Sequence, residues 1–276
     1  MKTDGGEYIH GSDSREQKRL SLLNDLLNDA SLEAMDLKGG EKILDIGSGL
    51  GQFTRMMART VGTEGEVVGV ERDPRQIEEA IRQAKSDGEH GLAEFRRGDA
   101  VDIPLEKNEW GTFDVAHARF LLEHVPDPLS VVRTMVRAVK VGGRVILEDD
   151  DHDVMRIWPE LPVIEQLWRT YADSFRKLGN DPFIGRRLVS LLHEAGANPA
   201  RNQWLPFSSC AGNPLFDAFV ENFAGVLGGA RQTILDTSSI TASDFDKAIS
   251  DLKEWARLPD AALWYGTFWA EGVRRE

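Results

Sequence analysis

Apolar positions along the chain follow two periods. Short runs rich in β-branched residues occur at Ile43–Ile46, Val67–Val70, Phe113–Ala118 and Arg144–Leu147, and stretches with helical spacing separate them. A short apolar run closed by glycines reads as a buried strand turning into a helix. Lys42–Gly51, KILDIGSGLG, has that form, and a helix is expected over Gln52–Thr60. Asp73-Pro74 and Asp127-Pro128 each set an N-cap before a proline at the first helical position. Helices are therefore expected from Asp73 to about Lys85 and over Leu129–Lys140, the second ended by Gly142-Gly143. Strands alternating with helices imply a parallel sheet with right-handed crossovers.

The second half has a different texture. Asp181-Pro182 predicts a helix over Phe183–Ala195, Gln203–Phe207 a sixth strand and Ala261–Val273 a last one. Helices are also expected after Asn213-Pro214 and over Thr241–Arg257. Near the N-terminus, Ser14 and Gln17 fit a capping box ahead of a leucine-lined helix.

The glycine turn is the first candidate for chemistry. Glycine permits positive φ and close approach of a ligand to the backbone, and a helix start adds unpaired N–H groups. A nucleotide-type ligand across the end of the first strand is the functional reading; a packing turn is the plain one. The spacing is G-x-G-x-G, whereas a dinucleotide site has a third glycine inside the helix. Three further features lie at strand ends. Glu71 closes the second apolar run, about 20 residues past the glycines, where a carboxylate can accept from ribose hydroxyls. Asp99 in Arg97-Gly98-Asp99-Ala100 can accept from an adenine amino group, with Ala100 offering a backbone N–H. Arg119 follows the fourth run.

Together DIGSGLG (45–51), VVGVERD (67–73), GDAVDIPL (98–105), FDVAHARFLLEHVPDP (113–128) and VGGRVILED (141–149) resemble the class I S-adenosylmethionine-dependent methyltransferases. The resemblance covers roughly the first 150 residues, in the family's order. It implies a Rossmann-like, seven-stranded, mostly parallel sheet with an antiparallel last strand and helices on both faces. It also implies S-adenosylmethionine as methyl donor and S-adenosylhomocysteine as product. The implied cofactor contacts are Asp45, Gly47, Ser48, Gly49, Gly51, Glu71, Arg72, Gln76, Gly98, Asp99 and Ala100, with the glycine turn at the methionine part, Glu71 at the ribose and Asp99-Ala100 at the adenine. Arg119 faces the methionine end. Many small-molecule members carry an aromatic N-terminal segment over the cofactor, for which Tyr8 and His10 are the candidates; a loose polar tail is the alternative. The sixth and seventh strands would form an antiparallel hairpin split by a helical insertion. The expected division is 1–30 as N-terminal cap, 31–150 as cofactor-binding core, and 151–276 as the remainder of the same domain. Helical insertions at about 154–178 and 213–258 would cover the acceptor site.

Composition narrows the partners. The net charge is −13 and the sequence pI about 5.0, which argues against nucleic acid, whose binding depends on Lys and Arg neutralising phosphates. The single cysteine, Cys210, precludes an internal disulfide and fits a reducing, cytoplasmic setting. No apolar run approaches a membrane span, and the polar N-terminus shows no signal-peptide core. A monomer or homodimer acting on a small-molecule methyl acceptor, at an O, N or C nucleophile, is the expectation.

Three residues are candidates for the acceptor side. His124 could serve as general base or hold its loop through a backbone carbonyl. Glu148 and Asp149 end the fifth run at the ligand edge of the sheet. The acidic stretch Glu148–Asp153 could also attract a hard cation such as magnesium, but no second ligand cluster accompanies it, and no metal is expected. Aromatic residues concentrate in the second half and read mainly as core, or as walls of an apolar pocket. Two other functional classes stay open: a non-catalytic protein that keeps the cofactor fold, and a protein methyltransferase.

Overall fold

The structure is a computed structural model that describes residues 27–276. The capping box at Ser14 and the lid candidates Tyr8 and His10 lie outside the described residues. An eight-stranded sheet forms the frame. Its strands run β1 Lys42–Ile46, β2 Glu66–Glu71, β3 Glu94–Arg97, β4 Phe113–Arg119, β5 Val139–Asp149, β6 Arg156–Trp158, β7 Ala197–Cys210 and β8 Ala262–Arg274. The spatial order is β3-β2-β1-β4-β5-β8-β6, with β7 pairing β8. Strands β1 to β5 are mutually parallel, and β8 runs antiparallel to β5, β6 and β7. This is the expected sheet with one strand added, β6.

The helices are α1 (27–35), α2 Gln52–Val61, α3 Pro74–Ser86, α4 Pro128–Ala138, α5 Pro162–Lys177, α6 Leu188–Glu194, α7 Phe216–Gly229, α8 Arg231–Thr237 and α9 Ala242–Trp255. The Asp-Pro devices work as read: Asp73 accepts from the Arg75 N–H, and Asp127 from the Ser130 N–H. Thr241 and Asp244 close a capping box at the start of α9. Among the described residues no helix is long and apolar enough to cross a membrane.

Two expectations are corrected. Gly142 and Gly143 lie inside β5 and do not end a helix. Pairing with β4 shifts register there, between Phe113↔Val139 and Val115↔Arg144. A Cβ on Gly143 would approach the Lys140 carbonyl to 2.8 Å, so the glycines accommodate an irregularity in the strand. The helix expected from Phe183 begins later. Asp181 accepts from the Phe183 N–H, a 3₁₀ turn covers Ile184–Arg187, and α6 starts only at Leu188. Backbone bonds explain the delay: His152 N donates to Pro182 O and Gly185 N to Asp150 O, tying this segment to the acidic loop.

One core cluster joins the central strands to α4 and α6, with Leu44, Met135, Val145 and Leu192 fully buried. A second joins α1 and α2 to the sheet through Met35, Met57 and Trp269. The third is separate and helical: α5, α7, α8 and α9 pack together around Phe175, Leu227 and Leu252, over Ile157 and Leu263 of the sheet extension. The join between sheet and extension positions the site. On one side of β8 the pairing passes from Asp149↔Phe268 directly to Arg156↔Trp264. Residues 150–155 therefore leave the sheet and return to the same edge, carrying the acidic loop out beside Tyr265.

Candidate functional site: a cavity with two ends

The glycine turn is drawn over the end of β2. Gly47 N and Ser48 N both donate to Val70 O, at 2.8 and 3.1 Å. Gly47, Gly49 and Gly51 have φ of +77, +55 and +68, which L side chains adopt only with strain. The three glycines differ in what surrounds them. A Cβ on Gly51 would lie 2.4 Å from the Phe95 ring, and one on Gly47 would lie 3.2 Å from Leu121. One on Gly49 would meet only the end of Gln76, at 3.2 Å, and the far carbonyl of Gly47 at 4.0 Å.

Glu71 sits under the turn. Its Oε2 accepts from Gly49 N at 3.1 Å and its Oε1 from Asp73 N at 2.9 Å. Burial pushes its carboxyl above the ordinary value, against the pull of those N–H groups. Asp45 is occupied from two sides: Oδ2 accepts from Thr54 Oγ1 at 2.6 Å, and Oδ1 pairs with His117 Nδ1 at 2.8 Å. His117 Nε2 and Ser48 Oγ are buried polar atoms without a hydrogen-bond partner among the described residues. Asp99 is exposed and uses Oδ1 to accept from Val101 N at 3.0 Å. Arg119 donates to Ser31 Oγ and Asn28 Oδ1, and its guanidinium lies 4.2 Å from the centre of the Phe53 ring. Next to it Phe120 has φ +51, a strained value for a bulky residue.

A single cavity of about 500 Å³ runs along this surface and on beneath the helical cover. Asp45, Gly47, Ser48, Gly49, Glu71, Arg72, Gln76, Gly98, Asp99, Ala100 and Arg119 all line it. Among the described residues expected at the cofactor, Gly51 alone is not in the lining; it is the N-cap of α2 and faces Phe95.

The far end is aromatic with one polar corner. Trp168 and Tyr171 of α5, Phe219 and Phe223 of α7, and Phe207 of β7 form its walls. Glu123 and His124, on a 3₁₀ turn after β4, and Asp150, His152 and Tyr265 form the corner. Glu123 Oε1 pairs with His124 Nε2 at 3.2 Å, and its Oε2 with His152 Nε2 at 3.2 Å. His152 Nδ1 meets the Tyr265 hydroxyl at 2.9 Å. The His152 ring also lies edge-on to Trp168, Tyr171 and Phe175, with centroids 5.2 to 5.3 Å away.

Burial would raise the Glu123 carboxyl, but the His124 and His152 imidazoles outweigh it and hold Glu123 well below the carboxylate range. Burial would lower His152, but Glu123 outweighs that and raises it. Asp149, Asp150 and Tyr265 are all pushed well up, burial being the largest cause for each. Glu123, Asp150 and His152 bring polar side-chain atoms within 4.8 Å of one another. The Glu123–His152 contact already joins two of them directly.

The acceptor-side expectations are revised here. His124 lines the cavity, whereas Glu148 and Asp149 do not. Glu148 Oε1 accepts from Ser31 and Thr267, at 3.0 and 2.8 Å. Asp149 accepts from Leu122 N at 2.8 Å and Asp150 N at 3.0 Å, fixing the loop around it. Both end β5 inside the sheet. The cavity receives the residues just beyond, Asp150 and His152, where the chain has left the sheet. Sequence reasoning missed His117, Glu123 and Tyr265, and took Asp150 and His152 only as part of the acidic stretch. The acidic run gave a signal for Asp150 and His152, and the alternation of β4 for His117. Tyr265 carried none, because only the β8 pairing brings it here.

The family described as a methyltransferase domain matches residues 37–196, which contain the glycine turn, Glu71, Asp99 and the polar corner apart from Tyr265. The chain belongs to the class I S-adenosylmethionine-dependent methyltransferase family. Within that family it is 30% identical over 186 residues to a demethylmenaquinone methyltransferase of Lactococcus lactis, covering 67% of this chain and 65% of that protein. It spans 46% of another curated relative, a transposon-encoded protein of Streptomyces fradiae. Solved structures share the fold. A geranyl diphosphate C-methyltransferase from Streptomyces coelicolor A3(2) aligns with TM-score 0.54 and 13% identity, over 99% of this chain and 92% of that one. The [4+2]-cyclase SpnF aligns with TM-score 0.54 and 20% identity, over 99% of this chain and 88% of that one.

Proposed function

We propose that this methyltransferase-family protein transfers a methyl group from S-adenosylmethionine to an O, N or C nucleophile of a small, largely apolar molecule. The observation that carries the reading is the continuity of the cavity: the glycine turn with Glu71 and Asp99 opens into the aromatic chamber without a partition. The residues fit the donor. Gly49 leaves the turn open where a side chain would intrude, and Ser48 Oγ and His117 Nε2 are orphaned polar atoms on the lining. The donor carries no phosphate, and this end offers it acceptors: Glu71 for ribose hydroxyls and Asp99 for the adenine amino group.

When bound, the sulfonium supplies an already activated methyl. The chain's part is to bind, align and exclude water. Glu71 is held under the turn by the N–H groups of Gly49, Asp73 and Arg72, which fix the direction of its carboxylate. Arg119, stacked on Phe53, lines the cavity. The helical cover of α5 and α7 shields the acceptor end, and its aromatic walls select a flat apolar body. The quinone-type names among the relatives, demethylmenaquinone and 2-phytyl-1,4-naphtoquinone methyltransferases, support an acceptor of that shape.

Calorimetric titration with S-adenosylmethionine, S-adenosylhomocysteine and NAD tests the donor. Binding of the first two without the third is the expected result; binding of NAD alone would sink the reading. One observation keeps a second reading in play: a [4+2]-cyclase shares this fold, and fold does not fix reaction. Cofactor binding without methyl transfer to any aromatic acceptor would favour a non-methylating role.

A further inference from the structure

We propose that Asp150 is the base that takes the methyl acceptor's proton, and that the acceptor therefore presents a phenol- or enol-type hydroxyl on an apolar ring body. The inference rests on the methyltransferase reading above and deepens it.

Accounting for the carboxylate oxygens at the polar corner leads there. Both oxygens of Glu123 are used, one by each imidazole. Both oxygens of Asp149 accept backbone N–H groups. Both nitrogens of His152 are used, by Glu123 and by Tyr265. Asp150 Oδ1 is buried and has no hydrogen-bond partner among the described residues, while Asp150 lines the cavity. It is the carboxylate oxygen left at this corner to accept a proton from outside the protein. A buried acceptor without a donor costs free energy, and a ligand O–H removes that cost. The remaining walls are aromatic, so the hydroxyl is the polar end of an otherwise apolar molecule.

The step balances. The acceptor O–H bond breaks and its proton goes to Asp150 Oδ1. The oxygen's electron pair forms the bond to the methyl carbon. The carbon–sulfur bond breaks with its pair left on sulfur, giving a methyl ether and S-adenosylhomocysteine. Glu123 and His152 are positioning residues: they hold Tyr265, whose hydroxyl also bonds the Asp150 carboxylate.

The charged and titratable groups around Asp150 set its basicity. Asp149 faces it from β5, Glu123 from the turn after β4, His152 from its own loop and Tyr265 from β8; His124 pairs with Glu123 and Tyr171 of α5 packs on His152. Arg186 and Arg187, on the adjacent 3₁₀ turn, are engaged by Asp151, Asp153 and Asp181. Burial raises the Asp150 carboxyl; His152 opposes it, Glu123 and Asp149 add to it, and the balance lies upward. A raised carboxyl is a stronger base, and it works only when ionised. Turnover therefore rises with pH through the Asp150 value.

The test uses the full chain, tritiated S-adenosylmethionine and two probes of one shape, 1-naphthol and 1-naphthalenethiol, in EDTA. The naphthol must lose a proton; the thiol is largely ionised at neutral pH and needs no base. Asp150→Asn is expected to lower naphthol turnover by about 10²- to 10⁴-fold and thiol turnover by no more than about threefold, with the acid limb of the naphthol profile abolished. Tyr265→Phe removes a hydrogen bond that lowers the Asp150 value, so its naphthol acid limb moves to higher pH. Equal losses on both probes, or an acid limb unchanged in both variants, would overturn the proposal. So would wild-type protein that binds S-adenosylhomocysteine but methylates neither probe, or that requires an added divalent ion. Failure to bind S-adenosylhomocysteine would instead overturn the cofactor reading. Unchanged S-adenosylhomocysteine affinity in each variant shows that its loss is not a folding failure.

Discussion

The two ends of the cavity are built by different means. At the glycine turn the cavity-lining groups come from short contiguous motifs, and the backbone holds them. Glu71 is fixed by N–H groups of Gly49 and Asp73, and the turn is fixed by the Val70 carbonyl. At the polar corner the groups come from the turn after β4, the loop after β5, the helix α5 and the strand β8, and they hold one another by side chains. Backbone-held groups tolerate variation in their neighbours. Side chains that satisfy each other while buried depend on every member, because a half-satisfied network is costly. The cofactor end should therefore fail in binding while the fold survives, and a corner residue whose atoms are all paired, such as Glu123, should cost stability when it is changed.

The largest expected effect tests the first half of that contrast. Gly49→Val forces a β-branched residue into φ +55 and puts its side chain on the cavity lining. S-adenosylhomocysteine affinity should fall by about 100-fold or more, because the isopropyl group fills space that the ligand must occupy. The melting temperature should move much less than in Gly51→Ala, whose Cβ meets Phe95 at 2.4 Å. Equal losses of affinity and stability in both variants would erase the distinction between a ligand glycine and a packing glycine.

Next comes the corner. Glu123→Gln leaves two buried imidazoles without their carboxylate and should cost about 3–5 kcal/mol of stability, read as a fall in the denaturant midpoint at unchanged slope. Cofactor affinity should stay within about threefold, since the loss lies outside the turn. A smaller effect has a defined pH signature. His152 is raised above its ordinary 6.5 by Glu123, against its burial. A raised imidazole contributes stability that is fully present below 6.5 and is lost as pH climbs through the folded-state value. The stability gap between wild type and His152→Phe should therefore narrow on going alkaline. A gap that widens would mean that His152 is held neutral.

The same contrast explains what the sequence could show. The Asp-Pro caps, the glycine turn and strands β1 to β5 were legible because each depends on neighbours within a few residues. Every described cofactor candidate except Gly51 reached the cavity for that reason. The corner was not legible because it depends on where β5 ends and on how β8 pairs. Glu148 and Asp149 stand one step short, still in the sheet, and the extra strand β6 makes the chain leave and return between Asp149 and Arg156. The three residues Arg156–Trp158 are too short a run to announce a strand. Tyr265 reads as one more aromatic in a hydrophobic strand until the pairing places it beside the acidic loop. The start of α6 shows the same limit: Asp181-Pro182 carries a helix signal, and backbone bonds to a distant loop defer it.

The smallest effect sharpens the description of the cofactor end itself. Asp99 commits Oδ1 to the Val101 N–H and is exposed, so its other oxygen is the one left for an adenine amino group. Asp99→Asn keeps the turn, because its amide oxygen can accept from the same N–H, but it presents an NH₂ where an acceptor stood. Affinity for S-adenosylhomocysteine should drop about tenfold, the scale of one hydrogen bond to a charged group at a partly wet site. The substitution should also reverse a preference. S-Inosylhomocysteine carries a carbonyl in place of the amino group, and the new NH₂ can donate to it. Wild type should prefer the adenosyl ligand, and Asp99→Asn should lose that preference or invert it. If both proteins rank the two ligands alike, Asp99 shapes its own turn and does not read the base, and the cofactor end would then rest on Glu71 and the glycine backbone alone.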